Sequence, residues 1–217
     1  MLFDIKINKI MPLLFFAILL FILFPKYSYS QPNTLCNDNC IITGSDKDDV
    51  LIADFNITTT IEAKKGNDQI QGGQAPDVLK GGNGDDRIKG DILYSSEIGP
   101  DVLVGEGGND ILLGISSSDY IFGGPGDDFA VAGTQGGTID GGKGNDVLYG
   151  QSNATSILIG GPGEDIFVCT SGIDIVIDYR SGSFGDTLQE TDGECEGIAK
   201  DKLKEEKTLE NMIIYEE

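Results

Sequence analysis

The residues of this chain best suited to chemistry are carboxylates that close glycine turns. Gly141-Gly142-Lys143-Gly144-Asn145-Asp146 runs straight into the apolar Val147-Leu148-Tyr149. Close copies stand at 81 (GGNGDD), 105 (GEGGND), 123 (GGPGDD) and 160 (GGPGED). Each aspartate offers hard anionic oxygens, and glycine lets the backbone adopt conformations closed to other residues. Such turns suit a hard dication. Calcium takes carboxylate and carbonyl oxygens in flexible geometry, whereas magnesium wants a stricter octahedron and keeps its waters. Calcium, Ca2+, is therefore the expected ion. The chain has no histidine, which removes a Ser–His–Asp triad and the commonest general base.

Something must hold these turns side by side, and the periodicity says what. Aligned on an apolar eighth place, nine-residue units start at 44, 54, 63, 72, 81, 96, 105, 114, 123, 132, 141, 151, 160 and 169. Every eighth place is apolar, from Leu51 through Ile88 and Leu112 to Val176. Insertions at Ala53, at 90–95 and at Gly150 interrupt the period. A three-residue strand sends its middle side chain opposite to its neighbours. One unit cannot bury that residue, but a stack can.

Alternate units differ. Those starting at 44, 63, 81, 105, 123, 141 and 160 all end in aspartate: Asp49, Asp68, Asp86, Asp110, Asp128, Asp146 and Asp165. The units between them are degenerate. Two units per turn of a flattened coil would place the regular turns along one edge. Strands lie about 4.8 Å apart, so neighbouring carboxylates would repel by roughly 1–4 kcal/mol depending on dielectric. A dication between them reverses that sign. Seven turns leave six gaps, hence up to six metal sites on that edge. Gly82, Gly84, Gly108, Gly124, Gly126, Gly142, Gly144, Gly161 and Gly163 would supply the turns and their carbonyls. Asp48, Asp85, Asp127 and Glu164, one place earlier, would add charge or support the ligands from behind. On the other edge only Asp77, Asp101 and Asp119 fall on consecutive turns.

This pattern resembles the RTX (repeats-in-toxin, hemolysin-type) calcium-binding nonapeptide, GGxGxDxUx. The resemblance spans roughly residues 44–177. It implies an all-β fold, a right-handed parallel β-roll with calcium held between successive loops, and folding coupled to calcium. Family members with type I export usually carry a C-terminal secretion signal, whereas this chain begins with a leader-like segment.

That segment has Lys6 and Lys9, an apolar run from Ile10 to Phe24, and small Ser28 and Ser30. It predicts a secretory signal over 1–30, cut after Ser30; the alternative is an uncleaved anchor, though the run is short for a membrane span. Cleavage removes Lys6, Lys9, Lys26 and Asp4 and takes the net charge from −21 to −23. Self-repulsion at that charge opposes folding, and a nucleic-acid partner is not expected. An oxidising destination lets the four cysteines pair. Of three connectivities, Cys36–Cys40 and Cys169–Cys195 would tie the two ends of the stack. Asn56 and Asn153 begin glycosylation sequons.

The expected organisation is signal (1–30), N-terminal cap (31–43), β-roll (44–177), then a C-terminal cap and charged tail (178–217) with a short helix or solvated segment over 198–215. Outward strand places turn from polar (Gln69, Arg87) to apolar (Ile111, Tyr120, Phe129, Ile166) along the chain. A partner interface explains that as well as the plainer readings do, which are partial cover by the C-terminal tail or simple strand propensity. The function expected is a secreted, extracellular calcium-binding β-roll with a structural or adhesive role, not an enzyme. The alternative is a polysaccharide-binding or polysaccharide-modifying module using Tyr120, Phe122, Phe129 and Tyr149.

Overall fold

The computed structural model describes residues 28–29, 39–92, 99–151, 153–179, 185–190 and 194–199. Among these residues the regular elements are all strands, and they divide by parity into two parallel sheets. One sheet contains β1 (Ser28–Tyr29), β3 (Asp49–Ile52), β5 (Gln69–Gln71), β7 (Arg87–Lys89), β9 (Ile111–Leu113), β11 (Phe129–Val131), β13 (Val147–Tyr149), β15 (Ile166–Cys169) and β17 (Thr187–Glu190). The other contains β2 (Cys40–Thr43), β4 (Thr59–Lys65), β6 (Val78–Asn83), β8 (Val102–Gly107), β10 (Asp119–Pro125), β12 (Gly137–Lys143), β14 (Thr155–Ile159), β16 (Ile173–Tyr179) and β18 (Glu194–Ala199). The chain crosses between sheets at every unit, so two units make one turn of a β-solenoid.

The core is the predicted column of eighth places. Ile70, Ile88, Leu112, Ala130, Leu148 and Phe167 are in register down one sheet. Leu79, Leu103, Ile121, Ile139, Leu158 and Val176 are in register down the other. All are at most 3% exposed. Burying one such aliphatic side chain stabilises by roughly 1.5–3 kcal/mol, so the stack gains one increment per unit.

Three features go beyond the nonapeptide pattern. Odd strands such as β7 and β9 are three residues long, but even strands such as β10 and β12 run to seven. They extend because the glycine pair that follows stays in register, Gly124 opposite Gly142. The coil also continues past 177: β17 pairs with β15, β18 with β16, and Leu188 packs on the core. Ile198 thus lies in β18, while the remainder of the 198–215 tail is outside the described residues. Finally, β1 lies within the predicted leader and pairs with β3, Ser28 opposite Asp49.

Cys40 and Cys169 are buried in the core and are not free thiols. Cys36 and the Cys195 side chain lie outside the described residues. No described helix is long and apolar enough to cross a membrane.

The aromatic residues do not form one face. Tyr120 and Phe122, 53% and 41% exposed, project from β10. Phe129 and Tyr149 belong to the opposite sheet, with ring centroids 5.3 Å apart.

Candidate metal centre

The loops that lead from the even sheet into the odd sheet carry the regular aspartates, one above another. Asp49, Asp68, Asp86, Asp110, Asp128, Asp146 and Asp165 are all buried. Each carboxylate from Asp68 onward accepts the backbone N–H of the aspartate one turn earlier. Asp68 Oδ1 accepts from Asp49 at 2.7 Å, Asp110 Oδ1 from Asp86 at 2.8 Å, and Asp165 Oδ1 from Asp146 at 2.9 Å. Asp186 adds an eighth rung, accepting from Asp165 at 3.1 Å. This residue escaped the periodic reading because the segment before it abandons the glycine pattern.

The second carboxylate oxygen is the one that matters chemically. Oδ2 of Asp68, Asp86, Asp110, Asp128 and Asp146 is buried and has no hydrogen-bond partner. In Asp86, Asp110, Asp128 and Asp146 it points at the first glycine of its own turn, Gly81, Gly105, Gly123 and Gly141; the turn of Asp68 has Ala63 at that place. A Cβ on Gly123 would lie 2.3 Å from Asp128 Oδ2 and 2.3 Å from the carbonyl oxygen of Gly141, one turn on. On Gly105 it would lie 2.2 Å from Asp110 Oδ2 and 2.6 Å from the Gly123 carbonyl oxygen. Carboxylate and carbonyl oxygens therefore converge where glycine leaves space. Neither can donate a hydrogen bond, so the pair calls for a cation, a proton or a donating water between them.

The other turn glycines shape the loop. Gly82, Gly84, Gly108, Gly124, Gly126, Gly142, Gly144 and Gly161 take positive φ. At Gly142, φ is 105° and a Cβ would lie 2.1 Å from the Gly124 carbonyl oxygen, so both conformation and space demand glycine. Gly163 does not take positive φ; its need is space, since a Cβ would lie 1.6 Å from the Gly144 carbonyl oxygen.

Burial first, and neighbouring carboxylates second, disfavour ionisation, while the donated N–H groups oppose the shift. Asp86, Asp110 and Asp146 are pushed up from 3.8 to about 7. Asp68 and Asp128 rise to about 6, in both cases chiefly from burial. Among the described residues the ion pairs are Lys65–Asp46 and Lys80–Glu62. Neither neutralises this column.

The residue before each regular aspartate forms a second, exposed ladder of opposite sense. Asp48 Oδ1 accepts from Asn67 N–H at 3.0 Å, Asn67 Oδ1 from Asp85 at 3.1 Å, and Asp85 Oδ1 from Asn109 at 2.8 Å. Asp127 and Asn145 continue it to Glu164. Aspartate and asparagine alternate along it up to Asn145. Asp48, Asp85 and Asp127 thus tie each loop to the next turn beside the buried column.

A column of buried acceptor-only oxygens fits a hard, oxygen-seeking dication and fits a softer metal poorly. A family model for the RTX calcium-binding nonapeptide repeat matches residues 62–92, 97–130 and 131–154. The chain carries RTX repeats. No curated protein matches the chain. The matched segments contain five of the seven regular aspartates of the RTX column, Asp68 through Asp146.

The opposite edge of the RTX coil carries a shorter column. Thr59 donates to Asp77, Asp77 to Asp101 and Asp101 to Asp119, at 2.7, 2.8 and 2.9 Å. It stops where Gly137 stands opposite Asp119. The periodic reading missed Asp91, which lies in the insertion at 90–95 yet is buried beside this column. The insertion breaks the nine-residue count, so alignment discarded the residue that the fold brings in.

Proposed function

We propose that this chain is a calcium-binding β-roll that folds, or completes its folding, when calcium fills the gaps between successive loops. One observation carries the reading: buried Oδ2 atoms of Asp68, Asp86, Asp110, Asp128 and Asp146 lack hydrogen-bond partners, and first-place glycine carbonyls converge on this column. Calcium would be held by these aspartates and carbonyls and would supply the positive charge they lack. The chain's own contribution is to space the oxygens and shield them from water.

The wider reading is a secreted, extracellular protein with a structural or adhesive role and no catalytic activity. It is supported by the leader-like start, by Cys40 and Cys169 not being free thiols, as suits an oxidising compartment, and by the regular aspartates being engaged in the column. Calcium, abundant outside cells, would then switch the chain to its ordered form after export. A glycan or protein partner would meet the outer faces, with Tyr120 and Phe122 the most exposed aromatic pair.

The test is a calcium titration of the refolded chain at pH 8, starting from metal-free buffer and followed by far-ultraviolet circular dichroism, with bound calcium counted by equilibrium dialysis. The expected result is a cooperative gain of β signal and several ions per chain. A full β signal in metal-free buffer, unchanged by millimolar calcium, would falsify the proposal.

A further inference from the structure

We propose that Asp91, Asp101 and Asp119 form a separate divalent-cation site on the opposite edge, of tighter affinity than the gaps of the regular column. This rests on the calcium-binding reading above. The three residues each offer a carboxylate oxygen, and these oxygens lie within 4.8 Å of one another. They are 2%, 0% and 1% exposed. Asp91 Oδ1, Asp101 Oδ2 and Asp119 Oδ2 are buried with no hydrogen-bond partner.

The remaining oxygens are held in place. Asp119 Oδ1 accepts from Asp101 N–H at 2.9 Å and from the Ser117 hydroxyl. Asp91 Oδ2 also faces Ser117 Oγ, at 3.3 Å. A hydroxyl has one proton, so Ser117 satisfies only one of the two carboxylates. Gln71 Nε2 donates to the Asp91 carbonyl at 2.9 Å and fixes its backbone. Gly90 leaves the space: a Cβ there would lie 2.6 Å from Asp101 Oδ2 and 2.9 Å from the Gly114 carbonyl oxygen. No described lysine or arginine pairs with the cluster.

The chemistry differs from that of the regular column. There, a gap between turns has two carboxylates. Here three carboxylates share one small volume, with the carbonyl of Gly114 beside them. Ligand charge count is a main control of calcium affinity, so the three-carboxylate site should fill first. Burial, and charge from Asp91 and its neighbours, push Asp101 up to about 8, in keeping with three carboxylates crowded without a counter-charge. The insertion at 90–95 is what brings the third carboxylate in.

The experiment is competition of the metal-free full chain against a chromophoric calcium chelator at pH 8, comparing wild type with Asp91→Asn, Asp101→Asn and the surface control Glu62→Gln. Wild type should show one ion bound at least ten-fold more tightly than the rest. Asp91→Asn should lose that phase and keep the weaker ones. Asp101→Asn retains the oxygen that Asp77 N–H needs and should behave likewise, so either folded variant serves. Glu62→Gln should match wild type. Curves for Asp91→Asn and Asp101→Asn that superimpose on wild type overturn this site while leaving the regular column standing. Wild type that takes up no calcium overturns both.

Discussion

Protons and calcium compete for the same oxygens, and the fold responds to them with opposite pH dependence. Asp86, Asp110 and Asp146 have pKa values raised from 3.8 to about 7 by burial and neighbouring charge. A carboxyl with a raised folded-state pKa holds its proton in the fold but loses it in the unfolded chain. Its stabilising contribution is complete below about pH 4 and is lost as pH rises through about 7. At 1.36 kcal/mol per pH unit, one such group loses on the order of 4 kcal/mol by pH 8. Water close to the turns screens this to about 2 kcal/mol. Three such groups, with Asp68 and Asp128 adding smaller amounts, approach the whole net stability of a typical domain, about 5–15 kcal/mol. The metal-free chain should therefore be disordered or nearly so at pH 8 and gain β structure on acidification to pH 5. Chelator should be removed by gel filtration before the titration, and circular dichroism and thermal melts followed from pH 8 to 4. The transition should centre between pH 6 and 7, above the range of exposed carboxylates. A spectrum and melting midpoint that stay constant over that range, or change only below pH 4.5, refute the argument.

Other outcomes follow from the same geometry. Asp128→Asn and Asp146→Asn should each raise the calcium needed for half-maximal order several-fold, while Asn153→Asp, on the exposed opposite edge, should leave it unchanged; equal effects in all three would break the edge assignment. Gly123→Ala places a methyl 2.3 Å from both Asp128 Oδ2 and the Gly141 carbonyl oxygen, and should cost about 1–3 kcal/mol by overpacking, read as a lower melting temperature both in saturating calcium and in acid; wild-type melting in both would mean the space beside Asp128 is not tight. Leu112→Ala empties a fully buried core position and should cost about 2–5 kcal/mol; a melting temperature in saturating calcium equal to wild type would mean that the apolar column is not the core.

How much of this was legible follows from which interactions are periodic. The eighth-place residues repeat at a fixed interval, and a period of that kind allows few folds, so periodicity alone puts Leu51 through Val176 in the core. The regular aspartates were legible for the same reason. Asp91 and Asp186 were not, since each lies where the count is broken, and only the parallel register restores them to a column. The length of the even strands was missed because glycine pairs read as turns, whereas Gly124 and Gly142 stay within the ladder. Asp178 read as part of a loop leaving the coil, yet it ends in β16 and its carboxylate accepts from Gly160 and Gly161 N–H at 3.1 and 3.0 Å. The grouping of four aromatic residues failed because adjacent strands in sequence belong to opposite sheets.

The alternation of aspartate and asparagine on the outer ladder sets how the protein should meet ordinary salt. Neighbouring outer charges stand two turns apart, about 9.6 Å at the usual strand spacing. That is close to the distance over which physiological salt screens exposed charges, about 8 Å. Sodium and potassium therefore screen most of the repulsion along the outer row. They cannot quiet the inner one, whose charges are buried and only one turn apart. Monovalent salt should be a poor substitute for calcium at any concentration, and a briny medium low in calcium should leave the coil as unsettled as a dilute one.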